Sequence, residues 1–253
     1  MFISIDVGAT HIRIAGTKSL EKSALDFLTK VDALDSYEED LENIADALKH
    51  IENVEAIAVG MPGRLNGEKT QSLTFNLKTW FGRNLKADFE KKFGCKVVLE
   101  NDAALAAMGE GMYGNGKNKN FIFIIWGTGV GGARVEHKDG KVIYFPLEPG
   151  HDFVINGDGR VGSCGHVEDL ESYAGGRSIE MHYGKTADKL LEEEWNEVIS
   201  YFSKGIKMIL RTYHSNLIIF GGGVAMKQQD KVRRIESEVQ QEFPSVKFTT
   251  SAL

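Results

Sequence analysis

Cysteine and proline are scarce in this chain of 253 residues and basic runs are lacking, and each absence excludes something. With only Cys95 and Cys164, a disulfide framework is out of reach, and a reducing, cytoplasmic compartment is the natural reading. The net charge is −6 with no basic run, so binding to nucleic acid by electrostatics is not expected. The apolar run Phe121–Trp126 is far too short to cross a membrane, and no membrane partner is expected. The opening MFISIDVGAT lacks a basic segment and carries Asp6, which argues against a signal peptide. Four prolines leave glycine as the main punctuation. The 28 glycines fall in short runs rather than in a linker, which marks tight turns and close backbone approaches.

Periodicity then gives an element order. MFISIDVG and HIRIAGTK alternate on either side of GAT and read as a hairpin. LENIADALKHI puts Leu41, Ile44, Ala45, Leu48 and Ile51 on one helical face. VEAIAVGMPG and CKVVLEND read as strands, LKADFEKKFG as a helix closed by Gly94, and AALAAMGEGMYG as a helix. KNFIFIIWGTGVGG opens the second half, and ARVEHKDGKVIYF turns at Asp139–Gly140. Ser172 to Tyr213 reads as mostly helical, with Leu190, Leu191, Ile199, Phe202, Ile206, Ile209 and Leu210 as core. SNLIIFGGGVA reads as a buried strand running into glycines, and KFTTSAL as a short extended segment. Both halves open with strand, glycine turn, strand, which predicts a two-lobed protein with a cleft.

Gly127, Gly129 and Gly132 fit the spacing of a dinucleotide-binding turn. That turn must open a helix, and here a hairpin follows, which argues against a nicotinamide cofactor. Two readings remain: a turn whose N–H groups cradle phosphate, with Thr128 adding a hydroxyl, or a bend that needs glycine. GKT at Gly184–Thr186 lacks the upstream glycine of a Walker loop, because Ile179 stands there. Asp6 at a strand end beside a small-residue turn suits a hydrated magnesium ion, and equally a hairpin cap. Asn101–Asp102 lies where a strand ends and a helix begins, so Asp102 is either a helix cap or a base. Glu148, His151 and Glu171 have the chemistry to grip hydroxyls. His50, His166, His182 and His214 read as structural histidines, and Cys95 as a small apolar residue.

The ordered set DVGAT, GMPGRLNG, FNLKTWFG, LENDAALAAMGE, WGTGVGG, EPGH, CGHVEDLESYAGG and IIFGGGV resembles the ROK family of sugar kinases and related repressors. That resemblance implies an α/β, two-lobed actin-like ATPase (ribonuclease H-like) fold of mixed sheets flanked by helices. It implies a small lobe over residues 1–104, a larger one over 105–253, and a homodimer. By similarity Asp6, Gly8 and Thr10 form one phosphate loop, with Asp6 near magnesium. Gly127, Thr128 and Gly129 form a second, and Gly221, Gly222 and Gly223 lie near the adenosine of ATP. Asn76, Asn101, Glu148, His151 and Glu171 hold sugar hydroxyls, and Asp102 matches the catalytic base. The implied substrate is a hexose, glucose first, with N-acetylmannosamine, N-acetylglucosamine, fructose and allose open, and a catalytically silent sugar binder as the rival. Family members commonly hold a structural zinc through a histidine and three cysteines. Those cysteine positions fall here on Gly162, Cys164 and Asp169, so at most His151, Cys164 and Asp169 remain and zinc is not expected. Packing, or hydrogen bonds from Asp169, Glu168 or His166, must then hold the loop. The resemblance also implies a glycine- and alanine-rich helix after the last strand, where this sequence reads FTTSAL.

Overall fold

Alternation in FISIDV and HIRIAGT puts Ile3, Ile5, Val7, Ile12 and Ile14 on the buried face of a sheet. These segments are β1 (Phe2–Val7) and β2 (His11–Thr17), an antiparallel pair with Asp6 opposite Arg13. The computed structural model describes every residue except Ala9, Lys22, Ser23 and Thr74–Asn76. A third strand, β3 (Phe27–Asp32), extends the hairpin. Ser36 then caps α1 (Tyr37–Leu48), its side chain accepting from the Glu39 N–H. β4 (Ala56–Met61), α2 (Leu85–Phe93) and β5 (Lys96–Asn101) follow, and Gly94 closes α2 in the left-handed region at φ 65°. The sheet order is β3-β2-β1-β4-β5, with β1, β4 and β5 mutually parallel.

α3 (Asp102–Tyr113) leads into a second sheet of the same plan. β6 (Phe121–Trp126), β7 (Val130–Lys138) and β8 (Lys141–Leu147) are antiparallel, and Asp139 (φ 52°) with Gly140 (φ 73°) makes the tight turn that DG signals. After β8 come α4 (Leu170–Ala174), α5 (Gly176–Tyr183), a 3-10 turn at Ala187–Lys189 and α6 (Glu192–Tyr213). β9 (Leu217–Gly221), α7 (Gly223–Lys227), α8 (Gln229–Gln240) and β10 (Lys247–Thr250) complete the order β10-β9-β6-β7-β8. The echo between the two halves is therefore a repeated topology, and the fold is the mixed-sheet, actin-like α/β architecture the resemblance implies.

Two compact units result, Met1–Leu105 and Ala106–Leu253. The first centres on Ile5, Ile14, Ile44, Trp80, Leu85 and Phe89, with Tyr37 edge-on to Trp80 at 5.0 Å. The second centres on Trp126, Trp195, Phe202 and Phe220, and Trp126 meets Phe202 at 4.2 Å. Each such side chain contributes roughly 1.5–3 kcal/mol on burial. Leu191, expected in this core, is 61% exposed because it is the N-cap residue ahead of α6 rather than part of its apolar stripe. β3 and α8 lie where no element was expected. β3 is a half-exposed edge strand, and α8 buries only Val232, Ile235 and Val239 among its hydrophobic residues.

Candidate functional site

In the first unit the polar residues gather at the carboxy-terminal ends of parallel strands. Asp6 pairs with Gly60 on β4, and β4 carries Met61 opposite Asn101 on β5, so Asp6 and Asn101 share one sheet edge with β4 between them. Ligand sites in open α/β sheets favour that edge. Gly8 is required in the first turn, since a Cβ there would lie 2.9 Å from the His11 carbonyl that its N–H bonds at 3.0 Å. Thr10 is exposed, and its carbonyl accepts from Ala33 N. Asp6 is half exposed, and its Oδ2 accepts from Arg13 Nη1 at 2.9 Å. No motif had marked Arg13; only the hairpin register, which sets it opposite Asp6, could have found it.

Asp102 is the first residue of α3, where the helix dipole favours a carboxylate. Its Oδ1 accepts from Ala103 N at 2.7 Å. α3 packs closely on β4 here: a Cβ on Gly60 would meet Leu105 Cδ1 at 3.3 Å. Asn101 braces the corner from both ends of its amide: Oδ1 accepts from Ala104 N and Nδ2 donates to the Gly63 carbonyl, each at 2.9 Å. Behind it the buried Glu100 accepts from Asn101 N at 2.9 Å and binds Lys69 Nζ. Asn76 lies outside the described residues.

In the second unit, β6 and β7 are joined by Gly127–Gly129. The carbonyls of Gly127 and Thr128 are taken by the N–H groups of Gly176 and Arg177 at the start of α5, each at 2.9 Å. Among the described residues the N–H groups of Thr128 and Gly129 have no protein acceptor, and Thr128 is exposed. That is the polarity of an anion cradle. Gly222 and Gly223 pack beside Gly127, with Gly223 N 3.7 Å from where a Gly127 Cβ would lie. Gly221 ends β9, with Phe123 within 2.8 Å of its missing Cβ.

The EPGH turn is wired to the same place. Gly150 N donates to Val130 O at 3.1 Å, Glu171 N donates to Gly150 O at 3.0 Å, and Glu171 Oε2 accepts from Val130 N at 2.8 Å. Glu148 O accepts from the N–H groups of His151 and Asp152. Thus Glu148, His151 and Glu171 are brought together next to Gly129. His151 Nδ1 lies 2.6 Å from Asp169 Oδ2, and its Nε2 lies 3.8 Å from Glu171 Oε2. The Asp169 hydrogen bond raises the His151 pKa against burial, helped by the charges of Glu171, Asp169 and Glu148. Burial pushes Asp169 up, but hydrogen bonds from His151 and Ser172 outweigh it and hold the carboxyl below its usual range.

A family zinc has little to hold it here. The one donor cluster among the described residues is His151, Cys164 and His166, within 4.8 Å of one another. Here His166, expected to be merely structural, takes the place expected of Asp169. Cys164 and His166 are exposed, and burial followed by the nearby Glu171 raises the Cys164 thiol pKa. A closed structural zinc site wants four ligands, mostly thiolate. These three donors do not fit it.

The ROK family model matches residues 2–250. This chain belongs to the ROK family. A glucokinase of Streptomyces coelicolor is 32% identical over 189 residues, 72% of this chain but 58% of that protein. An N-acetyl-D-glucosamine kinase of Vibrio parahaemolyticus is 29% identical over 202 residues, covering 72% of this chain and 66% of that protein. The crystal structure of a ROK hexokinase from Thermus thermophilus superposes with a TM-score of 0.81 at 21% identity, over 100% of this chain and 93% of that one. It shares the fold. DVGAT, WGTGVGG and IIFGGGV lie at strand ends and the turns that follow them, and no helix of the described residues is long and apolar enough to cross a membrane.

Proposed function

We propose that this ROK protein is a sugar kinase that moves the γ-phosphoryl group of ATP to a hexose hydroxyl, glucose O6 first, with Asp102 as general base. The observation that carries this reading is Asp102 at the end of β5 and the start of α3, on the same sheet edge as Asp6. Asp102 would accept the proton of the attacking hydroxyl late in a loose transition state, where positioning matters more than basicity. The N–H groups of Thr128 and Gly129, unpaired among the described residues, would receive the phosphates, and Glu148, His151 and Glu171 would take sugar hydroxyls, together with Asn101. Gly221–Gly223 would border the adenosine. Asp6, a half-exposed carboxylate beside a glycine turn, suits magnesium, which uses one or two carboxylates plus water and phosphate oxygens. Bound there, magnesium would neutralise phosphate charge. Glucose stands first because the glucokinase relative is 32% identical, and the N-acetyl-D-glucosamine kinase at 29% keeps that substrate in the panel.

The test is coupled ADP release over glucose, N-acetylglucosamine, N-acetylmannosamine and fructose, beside Asp102→Asn. Expected is turnover with one sugar that falls about 10²–10⁴-fold in the variant while sugar affinity holds. Turnover surviving in Asp102→Asn would remove the base role, and tight sugar binding without turnover would make the protein a silent binder.

A further inference from the structure

We propose that Asp169 does without metal what zinc does in the family: it fixes His151 and the turn that carries it. The inference rests on the sugar-kinase reading only for what His151 then binds.

Asp169 is buried, and both of its oxygens are committed. Oδ1 accepts from Ser172 N at 2.8 Å and Ser172 Oγ at 2.6 Å, capping α4, and Oδ2 faces His151 Nδ1 at 2.6 Å. An ionised carboxylate only accepts, so Nδ1 must carry the proton, and Nε2 is left to face Glu171. A metal on Nδ1 would impose the same ring orientation, so a carboxylate there can stand in for one. The capped helix carries Glu171, whose Oε2 holds Val130 N beside the Gly127–Gly129 turn. One carboxylate therefore sets the imidazole and, through α4, the residue that touches the phosphate turn.

The rest of the loop closes by hydrogen bonds where a knuckle would use thiolates. Gly162 N donates to His166 O at 2.7 Å, Ser163 N to Ser178 Oγ at 3.1 Å, and His182 Nε2 lies 2.8 Å from Val161 O. Ser172 Oγ also reaches His166 O at 3.2 Å. Glu168, in the left-handed region at φ 64°, holds Gly159 N at 2.7 Å. Asp169 is a positioning residue here, acting through His151.

The test uses the full chain with Asp169→Asn and Asp169→Ser, both of which keep an N-cap oxygen for α4. Metal content, thermal midpoint with and without chelator, imidazole ¹⁵N spectra of His151, and separate affinities for sugar and for an ATP analogue are measured. Expected is no stoichiometric zinc, a midpoint indifferent to chelator, and loss of the proton-bearing Nδ1 signal in both variants. Sugar affinity is expected to fall about 10- to 100-fold, by analogy with the carboxylates that orient metal-bound histidines, with nucleotide affinity unchanged. One zinc per chain, or an unaltered His151 spectrum in the variants, would overturn the proposal. If no sugar binds the native chain, the kinase reading fails instead, and the spectra and metal content still decide the role of Asp169.

Discussion

Gly222 sits at φ 89°, and a Cβ on it would lie 2.5 Å from the Trp126 carbonyl, whereas Gly223, its neighbour, has nothing within 4 Å. The two are the same letter in one motif, yet they carry different constraints. Gly222→Ala meets both left-handed strain and a backbone clash, so a loss of about 1–3 kcal/mol is expected in denaturant unfolding. Gly223→Ala opens α7 in free space and should stay within about 0.5 kcal/mol of the native chain, with any penalty appearing in nucleotide affinity instead. Equal destabilisation by both would refute this division. The same limit on what a motif conveys applies across the site. Asp6, Asp102 and the glycines could be placed from the sequence because each lies at, or just past, the end of a strand with a recognisable apolar run. Arg13 was not, because its partnership with Asp6 exists only once the hairpin register is set. His166 was not, because its closeness to His151, 4.3 Å between ring centroids, comes from a loop without periodicity.

At the scale of elements, strong alternation or a broad apolar face was readable and weak faces were not. α6 declares itself with Trp195, Val198, Ile199, Phe202, Ile206 and Ile209 on one stripe. α8 shows three buried hydrophobic residues in a charged sequence, and β3 alternates only between half-buried and exposed positions. α1 has a hidden polar anchor that no period reveals. The buried Asp40 accepts from Leu34 N at 2.8 Å and from Trp80 Nε1 at 3.0 Å, tying the helix to its entry and to the indole in the first core. Asp40→Ala strands two donors, one of them on a fully buried indole. A loss of about 2–5 kcal/mol is expected, read from the urea midpoint of first-unit probes such as Trp80 fluorescence. A loss below about 0.5 kcal/mol would mean that neither bond contributes.

For the whole molecule, the repeated strand order has an energetic counterpart. Each sheet buries its own cluster, and the buried hydrophobic residues of one cluster do not appear in the other. Cooperativity follows contiguous packing, so each cluster can be probed as an unfolding unit of its own. Phe89 is a sensitive probe. It is fully buried on α2 between Trp80 and Phe93, with centroids 6.2 and 5.7 Å away. Phe89→Ala leaves a cavity that typically costs about 3–5 kcal/mol. Hydrogen exchange should then show protection lost across β1, β4 and β5 while β6 and β9 keep theirs. Protection falling equally in both sheets would mean that the chain opens as one unit. The distinction bears on the proposed chemistry, because Asp102 draws its placement from the first core, whereas Glu171 and the Gly127–Gly129 turn draw theirs from the second. An opening confined to the first unit would therefore disable the proposed base while leaving the anion cradle formed, so in Phe89→Ala turnover should be lost at milder denaturant than affinity for the ATP analogue.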